Sequence, residues 1–309
     1  VSVTGVSGSG KTSLIKNIIY NGIKKLSSGS ENNSQSFKHL SYDSDAFSEV
    51  EFIDQNPIGK SSRSNPTTYI KAYDSIRKLM ANQHQAKISG FAPGHFSFNS
   101  DSGRCNVCKG AGTTTIEMQF LPDISLTCEE CKGLRFKPNI LEVKYKEHNI
   151  HDILNLTVDN AIELFKDEKD ICKRISPLQM VGLGYIRLGQ ASSTLSGGEA
   201  QRVKLASFLS VVKDSAPTLF IFDEPTTGLH NNDIIMLYDT FKLLVNNGHS
   251  IILVEHNLEL IKLSDYIIDL GPGGGNDGGE VMFIGTPEEI IKNKNSITGE
   301  YLKEKLIQA

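Results

Sequence analysis

The stretch GVSGSGKTSLIKNII, residues 5–19, fits the pattern G-x-x-x-x-G-K-[ST] from Gly5 to Thr12. Glycines at Gly5, Gly8 and Gly10 let backbone N–H groups face phosphate oxygens, and the positive end of the following helix adds to them. Lys11 is expected to reach the β- and γ-phosphates, and the Thr12 hydroxyl to ligate Mg²⁺. VSVTG before the loop and SLIKNII after it supply the strand and helix such a loop requires. Val1 leaves only four residues ahead of Gly5, so the chain is expected to be part of a longer protein.

A phosphate loop needs an acidic partner, and TLFIFDEP (218–225) supplies one. The apolar run predicts a buried strand that ends by delivering Asp223 to the Mg²⁺ shell. Glu224, one position on, is placed to orient and polarise an attacking water. In SIILVEHN (250–257) a second apolar strand brings His256 to the same carboxyl edge, where ligands collect in such sheets. A satisfied structural histidine and a γ-phosphate sensor both fit His256, and the neighbouring motifs favour the sensor. Gln55, closing EFIDQ, is a candidate for the metal or the water.

LSGGEAQRVKLA (195–206) opens a helix with Ser196 and Glu199 in capping-box spacing. Gly197 and Gly198 do not stabilise that helix, since glycine is a poor helix former. They leave bare amides at a positive helix end, suited to an anion at close range.

Cys105-x₂-Cys108 and Cys128-x₂-Cys131, separated by nineteen residues, have metal-ligand spacing. Four thiolates would fill a tetrahedral Zn²⁺ shell and leave no position for water, so the ion is expected to be structural. Such sites contribute on the order of 10 kcal/mol to folding. Disulfides, a redox role for a single CxxC, and a chaperone-type C-x-x-C-x-G-x-G repeat are the competing readings. TTIEMQF between the pairs alternates like a strand and Pro122-Asp123 marks a turn, so a hairpin is expected. Cys172 stands alone and is expected to be packing.

Net charge is −4, but residues 57–104 hold seven basic and two acidic side chains, which leaves −9 for the rest. That segment is either a phosphate-backbone footprint or a solvated surface. Lys60, Arg63, Lys71, Lys78 and Arg104 are its candidate DNA contacts. No apolar run approaches the roughly 18 residues of a membrane span. Strands alternating with helices predict a largely parallel sheet. The expected division is an α/β nucleotide-binding core over 1–56 and 205–309 and an inserted domain over 57–204, with the cysteine module at about 100–140.

Taken together, GVSGSGKT, the glutamine of IDQ, LSGGEAQ, DEPTTGLH and the histidine of VEHN stand in the order of an ABC-type ATPase. IDQNPIGKSSRSNPTTY, GHFSFNSDSGRCNVCKGAG, EMQFLPDISLTCEECKG and IIDLGPGGG are narrower. They resemble the C-terminal half of the bacterial excinuclease UvrA family across nearly all 309 residues. The resemblance implies an ABC-type P-loop core with an inserted helical signature domain bearing a four-cysteine zinc finger. It implies ATP, Mg²⁺ and structural Zn²⁺, a cytoplasmic damage sensor in nucleotide excision repair, and no nuclease activity of its own. In that family each nucleotide lies between one half's phosphate loop and the other half's LSGGE. Ser196, Gly197, Gly198 and Glu199 would then serve an ATP bound elsewhere, leaving two half-sites in this chain. The implied partners are damaged duplex DNA, an N-terminal ATPase half, a second copy, and the excinuclease's second subunit, UvrB, through that other half; no membrane is implied. The sequence departs from the family where GKSSRSNP replaces a more basic run, although Lys60 and Arg63 keep positive charge. A drug self-resistance paralogue and a transporter ATPase are the alternatives, as is a binding module with a vestigial nucleotide site; the four-cysteine finger speaks against a transporter, and intact Lys11, Asp223 and Glu224 against the vestigial reading.

Overall fold

The computed structural model describes residues 1–27, 39–43, 46–59, 63–116, 118, 124–210 and 216–307. Most of the polar stretch SSGSENNSQS, Lys60 and the Pro122-Asp123 turn lie outside the described residues. Eight strands are present among those described: β1 (Ser2–Gly5), β2 (Glu49–Ile53), β3 (Thr113–Ile116), β4 (Ile124–Thr127), β5 (Thr218–Asp223), β6 (Ser250–Val254), β7 (Ile267–Gly271) and β8 (Glu280–Gly285). The chain divides into two compact units, Val1–Asn56 with Val211–Ala309, and Pro57–Ser210.

The first unit is built on a six-stranded sheet in the order β2-β5-β6-β1-β7-β8. Five strands run parallel and β8 closes the edge antiparallel to β7. The central strands read as near-continuous apolar runs because helices cover both faces of a parallel sheet. In β5, every residue but Asp223 is buried. Register aligns the chemistry: Asp223 lies opposite Val254, which lies beside Val3, while Ile53 lies opposite Phe222. The chain therefore leaves β1, β2, β5 and β6 at one carboxyl edge.

Helices seal this sheet by spacing. The helix Asn231–Asn246 buries Ile234, Leu237, Phe241 and Leu244, at intervals of three and four residues that place them on one face. Phe241 meets Phe222 of β5 with ring centroids 4.8 Å apart. Val3, Ile15, Ile23, Leu219, Ile221, Val254 and Leu270 form the core next to the phosphate loop. After Thr12 the chain runs as a π-helical segment Ser13–Tyr20 that continues as α-helix Asn21–Ser27.

The second unit is helical apart from the antiparallel β3–β4 ribbon. Ala72–Ala81 buries Tyr73, Ile76 and Met80, and Lys169–Met180 buries Ile171, Ile175 and Leu178. Asn149 and Thr157 start the helices Ile150–Asn155 and Val158–Leu164 by accepting backbone N–H bonds. The domain boundary expected at 204/205 falls inside the helix Gly197–Leu209, and that helix stays whole within this unit.

Candidate nucleotide and metal sites

The phosphate loop leaves β1 at Gly5. Gly8 and Gly10 sit at φ of 80° and 95°, which side-chain-bearing residues rarely adopt. Lys11 is buried to 6% exposure, and its Nζ donates to the carbonyls of Gly5 (3.0 Å) and Val6 (2.9 Å). Burial lowers its pKa, and the nearby carboxylates of Glu224, Asp269 and Asp223 oppose that. Thr12 is exposed at the helix start and its hydroxyl makes no capping bond.

A second loop holds this one, a role that neither its glycine content nor the stretch IIDLGPGGG had indicated. Gly275 N–H donates to Gly8 O at 3.1 Å, and Gly279 N–H to Ser9 O at 3.1 Å. A Cβ on Gly274 would lie 2.7 Å from Ser7 O, so the two backbones approach too closely for a side chain there. GPGGGNDGG (271–279) is thus a buttress under the phosphate loop. The density of glycine, far above what one turn needs, was the available signal.

Asp223 closes β5, and burial, followed by the charge of Glu224, raises its carboxyl above the ordinary range. Glu224 adopts φ of 49°. Its N–H donates to Val254 O at 2.8 Å. His256 Nε2 lies 3.6 Å from Glu224 Oε1. Gln55 Nε2 donates to Thr227 Oγ1 (3.2 Å) and Glu224 O (3.4 Å). Gln55, Glu224 and His256 therefore meet at the sheet edge from which the phosphate loop springs. The hydroxyl of Thr12 and the carboxylate of Asp223 are hard oxygen donors of the kind Mg²⁺ accepts.

In the second unit Ser196 and Glu199 form the capping box. Ser196 Oγ accepts from Glu199 N–H at 3.2 Å, and Ser196 N–H donates to Glu199 Oε2 at 2.7 Å. Tyr185 donates its hydroxyl to Glu199 Oε1 at 2.7 Å. Burial alone would raise the Glu199 carboxyl, but the bonds from Tyr185 and Ser196 outweigh it and hold it below its ordinary value. Gly197 and Gly198 are helical and neither has positive φ, so backbone freedom does not account for them.

The four cysteines cluster, with every pair of sulfurs within 4.8 Å and exposures of 0–8%. Cys105 and Cys128 Sγ are 4.0 Å apart, and Cys108 and Cys131 Sγ 3.6 Å. A disulfide requires about 2.05 Å. Tetrahedral Zn–S bonds of about 2.3 Å put sulfurs roughly 3.8 Å apart, so the donor set fits Zn²⁺. Backbone N–H groups of the Cys131 turn push the Cys128 thiol down to about 7, while burial pushes Cys131 up to about 12. A dication favours the thiolate at all four. Lys109-Gly110 and Lys132-Gly133 repeat one left-handed turn, with φ of 50° and 85° in one and 49° and 85° in the other. Cys172 is half-buried and donates to Phe165 O at 3.0 Å.

Among the basic candidates, Lys71 and Lys78 are exposed and Arg63 is half-buried. Arg104 is used internally. Its guanidinium pairs with Asp101 at 2.6 Å and donates to Lys109 O at 3.2 Å. It fastens the first cysteine turn and is poorly placed to reach another molecule. No helix among the described residues is long and apolar enough to cross a membrane.

The family described as ABC transporter matches residues 109–227. UvrABC system protein A of Clostridium tetani is 50% identical over 305 residues, covering 98% of this chain and 32% of that protein. The Aquifex aeolicus protein of the same name is 48% identical over 306 residues, covering 99% and 33%. The crystal structure of UvrA2 from Deinococcus radiodurans superposes with a TM-score of 0.89 at 42% identity, covering 98% of this chain and 36% of that one. The chain thus spans about a third of the length of the relatives it matches. Along nearly its whole length the chain is thus similar in sequence and fold to one third of UvrABC system protein A, and its fold is that of an ABC-type ATPase domain.

Proposed function

We propose that this chain is the C-terminal ATPase half of a UvrA-type protein that recognises damaged duplex DNA in nucleotide excision repair. The observation that carries the proposal is the meeting of Gln55, Glu224 and His256 beside the phosphate loop, in a chain half identical to UvrABC system protein A. Lys11 would leave its carbonyl partners for the β- and γ-phosphates of ATP. Thr12 and Asp223 would hold Mg²⁺, which neutralises charge on the phosphate oxygens. Glu224 orients and deprotonates the attacking water, His256 contacts the γ-phosphate, and Gln55 holds the turn that carries Glu224. The capping box of Ser196 and Glu199, with the amides of Gly197 and Gly198, serves a nucleotide held by another half. Closure of two halves on ATP would then alter the grip on DNA, and hydrolysis would reset it.

The four-cysteine cluster has all its ligands filled by sulfur, which supports a structural Zn²⁺ and argues against a transporter role. The lesion is read through duplex deformability and not through a base code. UvrB would bind through the other half. The test is DNA binding by the full-length protein with Lys71 and Lys78 replaced by alanine. Loss of two phosphate contacts should flatten the slope of log K against log salt by about 2. An unchanged slope removes this segment from the interface. Equal affinity for damaged and intact duplex, with and without ATP, removes the damage-recognition reading.

A further inference from the structure

Glu255 is 1% exposed, and no motif in the sequence marks it. Its backbone N–H donates to Val3 O at 3.1 Å, tying it to the strand that feeds the phosphate loop. Its carboxylate faces two segments at once. Oε1 accepts from Thr226 N–H at 3.0 Å and Thr226 Oγ1 at 2.6 Å. Oε2 accepts from the N–H of His256 at 2.7 Å and of Asn257 at 2.9 Å. Asn257 in turn caps the helix Leu258–Ile261 by accepting from Glu259 N–H at 2.9 Å. One buried side chain thus fastens the turn after β5 to the segment after β6.

Those two segments carry Glu224 and His256. Glu224 is held at φ of 49°, a conformation that persists in a non-glycine residue only when its surroundings impose it. Thr227 N–H donates to Glu224 O at 3.2 Å, so the turn that Glu255 grips through Thr226 is closed directly on Glu224. Chemistry at this edge depends on small distances, since a displacement of about 1 Å from productive geometry can cost on the order of 100-fold in rate.

We propose that Glu255 is a positioning residue that fixes Glu224 and His256 to each other, so that the water-orienting carboxylate and the γ-phosphate contact shift as one body. This rests on the reading of the site as an ATPase centre. All four contacts to the side chain come from donors, which a carboxylate can accept with both oxygens. Glutamine has the same shape but one acceptor oxygen, so it satisfies Thr226 or the His256–Asn257 pair and not both.

The experiment is steady-state ATP hydrolysis and equilibrium binding of a fluorescent ATP analogue by the full-length protein in which the other half's own phosphate-loop lysine is replaced by alanine, so that turnover reports this site. Glu255→Gln should lower kcat roughly 10- to 100-fold, with KM and analogue affinity near wild type. Thr226→Val removes one donor and should lower kcat by about tenfold. The double variant should then lose less than the product of the two effects, because both changes break one contact. Should Glu255→Gln not fold, Thr226→Val alone carries the test through the same kcat-only loss. Wild-type kcat in the variant that folds overturns the proposal, as does a parallel fall of kcat, nucleotide affinity and melting temperature. Wild-type protein that turns over no more ATP than Glu224→Gln overturns the ATPase reading itself, and the proposal with it.

Discussion

The four-cysteine cluster and the nucleotide edge are both built at chain turns, yet they are finished differently. The cysteines bring four sulfurs within 4.8 Å of one another, all buried, with left-handed Lys-Gly turns repeating beneath them. Nothing outside the chain is needed beyond one ion. At the nucleotide edge the side chains of Glu224 and His256 are about half exposed, and Lys11 bonds to its own loop carbonyls. These groups are aligned but face outward, as a site must when its reactants arrive from elsewhere. A closed donor set leaves no room for a reactant, whereas an open row of aligned groups does.

The contrast can be broken most forcefully at the metal. Stripping Zn²⁺ with a chelator, or replacing Cys105 and Cys128 by serine, should remove on the order of 10 kcal/mol of metal-linked folding energy. Hydrogen exchange should then rise across residues 103–137 while the strands β1, β5 and β6 keep their protection. Exchange that ignores the chelator would show that the cluster holds nothing together.

The open site should fail by chemistry before it fails by folding. With the other half's own phosphate-loop lysine replaced in the full-length protein, Glu224→Gln should cut the remaining kcat by roughly 100- to 10,000-fold, the range of a general base, with ATP still bound. Lys11→Ala should act on affinity instead. Loss of two charge-assisted hydrogen bonds to phosphate predicts binding about 100-fold weaker by calorimetry. If the two variants shared one pattern, the division between binding and water activation would be wrong.

The smallest effect belongs to the capping box. Ser196→Ala should destabilise the helix Gly197–Leu209 by about 1 kcal/mol, read as faster amide exchange in its first turn. The same cap should weaken in acid. Glu199 has a folded pKa below its ordinary value, so its stabilisation is fully present above the usual glutamate range and is lost as pH falls through the folded pKa. Amide exchange of this turn that does not change with pH across that interval would mean the carboxylate contributes nothing.

Much of this architecture is legible in residue patterns because the patterns are local. The loop glycines, the run TLFIF before Asp223, the Ser196–Glu199 spacing and the paired cysteines each need only a few neighbouring residues to specify them. Glu255 and the loop 271–279 were not legible in this way. Their partners, Thr226 and Gly8, lie 29 and 267 residues distant in the chain, and only the sheet order brings them together. Arg104 shows the reverse case. Its charge reads as an external contact, but Asp101 three residues earlier and a carbonyl five residues later already engage it.

The central claim is that Gly197 and Gly198 complete a nucleotide site whose lysine belongs to another half. ATP turnover per molecule of this chain alone, followed over a wide range of protein concentration, tests it most directly. The account predicts negligible turnover at high dilution and a steep rise as copies begin to pair. Brisk turnover that is the same per molecule at every dilution would contradict it.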